Sequence, residues 1–137
     1  MATVEVSFTP LPAHVRTARL VATAVARRSG VPEALLDEVR LAVGEACSRA
    51  VEAHRLYCPS EPVKIALTNG AGRFEVEVTD TGAAQGAQGK GAPGGSAVPV
   101  QGFGLAVIAG LADDVQISET AAGTSVRMSW PLAGRPA

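Results

Sequence analysis

Four short groups of residues have the types and spacing that chemistry needs. The string Gly44-Glu-Ala-Cys-Ser-Arg-Ala-Val-Glu-Ala-His54 sets a carboxylate, Glu45, and a guanidinium, Arg49, four residues apart. On a helix that spacing stacks the two on one face. There the two could form an exposed ion pair worth about 0.3–0.5 kcal/mol. Asp80-Thr-Gly82, taken alone, is a turn after a strand. Gly102-Phe-Gly-Leu105 stands where a helix starts, and glycines there let a phosphate approach backbone N–H groups at the positive end of the helix dipole. Glycines also cap helices for conformational reasons alone. Gly123-Thr124 is, by itself, a turn before a strand. Cys47 and Cys58 do not make a disulfide framework. They read as a helix-buried thiol and a loop thiol in a reducing, cytoplasmic compartment.

Periodicity supplies the elements that must hold these groups. Thr3–Phe8 alternates like a half-buried strand. Ala13–Arg28 is an alanine-rich helix, stopped by Ser29-Gly30. Pro32 to His54 is a second helix with Leu35, Val39, Ala42, Val43, Ala46 and Ala50 on one face, and with Glu38, Glu45 and Arg49 on its flank. Val63–Thr68 and Arg73–Thr79 form a hairpin around Asn69–Gly72. A short helix over Gly104–Ala112 and strands over Val115–Ser118 and Thr124–Trp130 complete the order β-α-α-β-β-α-β-β. Such an order predicts a two-layer α/β sandwich: a mixed sheet with the helices on one face.

The 137 residues suffice for a single domain over 1–137. A net charge of -1 leaves no electrostatic footprint for nucleic acid or anionic membrane. No apolar run reaches the ~18 residues of a membrane span, and the N-terminus lacks the layout of a signal peptide. Seven of the 15 glycines lie between Gly82 and Gly102, in a segment whose sole charge is Lys90. It holds too little apolar surface to repay ordering, so residues 81–101 read as a flexible glycine-rich lid.

Together these groups resemble a known arrangement. EAxxxA on a long helix, DxG after a hairpin strand, a flexible segment, GxGL opening a helix and GT before the last strand are similar to the Bergerat ATP-binding fold of sensor histidine kinases, gyrase and MutL. Over nearly the whole chain the pattern looks like the small anti-sigma-factor serine kinases of bacteria, most specifically in GFGLAVIAGLADDVQI followed by AAGTSVRMSW. The resemblance implies ATP or ADP as ligand. It makes Asp80 the acceptor of the adenine amino hydrogen, with Thr124 sharing a water, and gives Gly82 the turn beneath the base. It sets Gly102, Gly104 and Leu105 around the phosphates and makes Glu45 the base that orients a substrate serine. A sigma factor, a STAS-domain antagonist, or both are the implied partners.

Arg49 breaks the pattern. The family carries an asparagine there, whose amide oxygen ligates Mg²⁺, whereas a guanidinium has donors only and a fixed positive charge. Arg49 is therefore expected either to contact phosphate directly or to pair with Glu45 and fill the site. Either way Mg²⁺ is in doubt and no metal ligand is assigned. Ala84 is a second departure, replacing the second glycine of DxGxG. The leading expectation is an anti-sigma-type regulator of transcription with kinase activity reduced or lost, a pseudokinase. The alternatives are an active serine kinase acting on a STAS protein, and a nucleotide-responsive accessory domain with no sigma partner. His14 and His54 read as surface or helix-end histidines. The face of Ala18, Ala22 and Ala26 serves either core packing, the preferred reading, or a homodimer.

Overall fold

The computed structural model describes residues 2–81 and 107–133. Gly82, Gly102, Gly104, Leu105 and nearly all of the expected lid lie outside the described residues. Strand β1 spans Ala2–Phe8 and helix α1 Pro12–Ser29. A 3-10 turn over Glu33–Leu35 leads into helix α2, Leu36–Tyr57. Strands β2 (Val63–Gly70) and β3 (Arg73–Asp80) follow. The chain resumes in a short helix α3 over 107–111, then β4 (Asp114–Thr120) and β5 (Gly123–Pro131).

Local chemistry accounts for the boundaries. Pro12 begins α1, where its missing N–H costs nothing. Gly30 ends it at φ 107°: its N–H reaches the Arg27 carbonyl and the Val31 N–H the Ala26 carbonyl. This is the Schellman pattern that glycine permits. The second helix begins more tightly than its periodicity predicts, because the Leu35 N–H bonds the Pro32 carbonyl first. Between β2 and β3 the two-residue loop Ala71-Gly72 has φ of 56° and 77°. Positive φ at both positions is what a twisted hairpin turn requires.

The sheet order is β1-β2-β3-β5-β4, with every neighbouring pair antiparallel. The two-layer sandwich is as expected, but the sheet is not mixed. Strands β3 and β4 do run the same way, as a crossover through α3 demands. The tight β4–β5 hairpin then inserts β5 between them, so no parallel pair is hydrogen-bonded.

Ile65, Leu67, Phe74, Val76, Val78, Val126, Met128 and Trp130 line the sheet's inner face and are buried under α2. Fully burying each contributes about 1.5–3 kcal/mol. The Trp130 indole also donates to the Leu111 carbonyl at 3.2 Å, which ties α3 to the sheet. Helix α1 packs against α2 and also meets β2 and β3; its residues Val15, Ala18, Ala22 and Ala26 are buried, so this small-residue face is core. At Gly44 an added Cβ would stand 2.5 Å from Cδ of Arg19, whose stem lies across that glycine. The sheet's outer face is polar, with Arg127 near Glu75 (3.3 Å) and Glu77 (3.7 Å).

Candidate functional site

Helix α2 brings the site together because it packs against both α1 and the sheet. Its N-terminal half buries Leu36, Val39, Ala42, Val43 and Ala46 in the core. Its C-terminal half continues past the last inner strand residues and there buries polar groups, Arg49 and His54.

Arg49 points inward, not along the helix. Its Nη2 donates to Oδ2 of Asp80 at 2.5 Å, with the two side chains only 5% and 0% exposed. Of the two outcomes expected for Arg49, the pairing with Glu45 is replaced by a pairing with Asp80. Glu45 is half-buried and takes part in no ion pair among the described residues. The reason is electrostatic: Asp80 ends β3 in the interior, and a buried carboxylate without a countercharge costs several kcal/mol. A long guanidinium one turn past Glu45 can reach it, and in low dielectric that attraction far exceeds a solvent-screened helix pair. Among the described residues Arg49 Nε, which is buried, has no hydrogen-bond partner.

The β3–β5 register sets Thr124 directly opposite Asp80, and both are buried. Gly123 makes this closeness possible. It sits at φ 144°, and a Cβ there would come within 2.0 Å of the Asp80 carbonyl oxygen. Asp80 and Thr124, which the resemblance assigns to one end of the nucleotide, are thus ladder neighbours.

His54 is the residue that the sequence reading missed. It is 1% exposed. Its Nδ1 lies 2.8 Å from the Glu61 carbonyl, and its Nε2 accepts the Thr81 N–H at 3.0 Å. A carbonyl can only accept, so Nδ1 carries the proton and the ring is neutral. Cys58, at the end of α2, sets its Sγ 3.7 Å from Thr81 Oγ1. The available signal was a histidine five residues after Arg49 on the same helix, just before the chain reverses. Cys47 is the helix-buried thiol expected, and burial pushes its pKa up to about 12.

This donor set does not fit Mg²⁺. The position that would ligate the ion holds a group with donors only, fixed in charge and already bonded to Asp80. Among the described residues no three His, Cys, Asp or Glu side chains cluster as metal ligands. Oδ2 of Asp80, the carboxylate that the resemblance gives to adenine, accepts from Arg49. Among the described residues no helix is long and apolar enough to cross a membrane.

A model of the histidine kinase-like ATPase domain matches residues 8–130. No curated protein matches the sequence significantly. Among solved structures, the chain is similar to the RsbU and RsbW domains of Rv1364c from Mycobacterium tuberculosis. The identity is 19% and the TM-score 0.72, over all of this chain and 34% of that one. This chain therefore spans about a third of that protein's resolved length. It is also similar to a chain of the SiaB–SiaC complex from Pseudomonas aeruginosa, at 11% identity and TM-score 0.64, covering 93% of this chain and 88% of that one. At such identities the likeness is one of fold. With the family model spanning β1 to β5 and the fold agreeing, the chain belongs to the histidine kinase-like ATPase domain family.

Proposed function

We propose that this protein is an anti-sigma-type regulator that works by binding a protein partner, with phosphoryl transfer reduced or lost. The observation that carries this reading is the buried Arg49–Asp80 ion pair: one oxygen of the carboxylate that the resemblance gives to adenine already accepts from Arg49, and a fixed cation stands on the residue that the family pattern gives to the metal ligand. Metal-bridged neutralisation of phosphate charge is a large part of such catalysis, and among the described residues no cluster of His, Cys, Asp or Glu could hold the metal. Glu45, the residue that the resemblance puts in the position of the base, is half-buried on the same helix. The family match, the anti-sigma-like pattern of the sequence and the likeness to an RsbW-containing structure and to a two-protein complex support a partner-binding role. The partner in this reading is a sigma factor, a STAS-domain protein, or both, in the cytoplasm.

The test is incubation with labelled ATP, Mg²⁺ and purified candidate STAS proteins, beside calorimetric titration with ATP and ADP. The reading expects a stable complex with a sigma factor or STAS protein, formed equally well with and without nucleotide, and no labelled serine. Stoichiometric label on a partner serine would establish the active kinase instead. Failure to bind either partner class would leave the accessory-domain reading.

A further inference from the structure

Asp80 and Thr81 are consecutive, and both are held by side chains of one helix. Arg49 takes the carboxylate of Asp80; His54, five residues on, takes the backbone N–H of Thr81; Cys58 approaches its hydroxyl. We infer that His54 is the positioning residue of this site: by joining the Glu61 carbonyl to the Thr81 N–H, it fixes the end of β3 so that Asp80 faces Arg49.

The geometry has three parts. Asp80 is the last residue of β3, and its ladder partner across the sheet is Thr124. On that side Gly123 contributes no side chain to hold it. Thr81 lies past the ladder, so its N–H needs an acceptor from elsewhere. His54 Nε2 supplies it at 3.0 Å. The second ring nitrogen is bonded in turn to the α2–β2 connection, at the Glu61 carbonyl, so the ring can neither rotate nor exchange tautomers without losing a bond. Glu61 is itself tied back by its N–H to the Cys58 carbonyl at 2.9 Å. The imidazole is therefore a rigid spacer between two backbone segments. A strand end held this way gives the Asp80 carboxylate one direction, toward Arg49, rather than a range of directions. This goes beyond the partner-binding reading and depends only on Asp80 being the centre of the site.

Two isosteres separate positioning from bulk stability. In His54→Asn the amide reaches the place of Nδ1 and keeps the Glu61 bond but not the Thr81 bond. In His54→Gln the amide oxygen reaches the place of Nε2 and keeps the Thr81 bond but not the Glu61 bond. Measured by NMR on the isolated chain, wild type is expected to show the neutral Nδ1–H tautomer and a protected Thr81 amide. His54→Asn is expected to raise Thr81 amide exchange about tenfold over His54→Gln, and it alone should shift the Arg49 Nε–H resonance. Equal effects of the two variants at Thr81, or an unmoved Arg49 resonance in His54→Asn, would overturn the assignment. Should either variant fail to fold, wild type decides: an Nε2–H tautomer or a fast-exchanging Thr81 amide overturns it. No partner protein is involved, so a failed partner experiment leaves this result standing.

Discussion

Strand β3 takes part in two kinds of ion pair, one on each side of the sheet. On the outer face Glu75 and Glu77 meet Arg127 of β5, with side chains 32–46% exposed. At its inner end Asp80 meets Arg49, with almost no exposure. The chemistry is the same and the energetics are not. The outer charges stay hydrated whether or not they pair, so pairing adds little. The inner charges have lost their water, so each is stable only while the other is present. Outer pairs can be replaced freely, whereas the inner pair is kept or lost as a unit and dictates what else the site can accept.

The contrast is sharpest under substitution of one partner. Asp80→Ala strands the Arg49 charge and should cost about 3–5 kcal/mol, read from urea unfolding. Combining Arg49→Met with Asp80→Leu should recover most of that loss. A single variant as mild as a surface change would mean that water reaches the pair.

A buried thiol gives the next effect. Cys47 is protonated in the folded state, its pKa raised from 9.0 to about 12 by burial. A raised folded pKa means that the folded protein holds the proton more tightly. The stability Cys47 contributes is therefore fully present below pH 9 and is lost as pH rises toward 12. The loss approaches about 4 kcal/mol at the top of that window. Cys47→Ala should flatten the fall in stability between pH 9 and 11.

Smaller again is the backbone contact beside Asp80. Gly123→Ala places a side chain at φ 144° against the Asp80 carbonyl. The conformation alone should cost about 1–3 kcal/mol, seen as a lower Tm with the outer pairs intact. Least of all, Arg127→Ala should cost at most about 1 kcal/mol, and salt should reduce even that. An Arg127 effect rivalling that of Asp80 would undo the distinction between the two faces.

Much of this arrangement is legible in the sequence. Alternation places Phe74, Val76 and Val78 inward, and by the same rule Asp80 falls on the inner face. The GT step before β5 brings Thr124 opposite it. The partner of Arg49 is not legible. Helical spacing tells which residues share a flank, but not whether a flexible side chain follows the helix or turns beneath it. The choice depended on where β3 ends, which is a long-range fact. His54 was hidden for a related reason. Its two partners are backbone atoms of Glu61 and Thr81, and backbone groups leave no mark in the residue pattern. The mixed sheet was expected from the order of elements alone; the insertion of β5 between β3 and β4 is a matter of spatial order.

That insertion also bears on how the chain is made. β5 lies between β3 and β4 in space, yet follows both in sequence. During synthesis the inner edge of β3 stays unpaired until Gly123–Pro131 has left the ribosome, and with it Asp80 lacks its cross-strand neighbour. The Arg49–Asp80 pair can be sealed from water only at that last stage. A nascent chain halted before Gly123 would carry an open sheet edge and an unsealed charge together, which marks it for chaperones and proteases rather than for a partner.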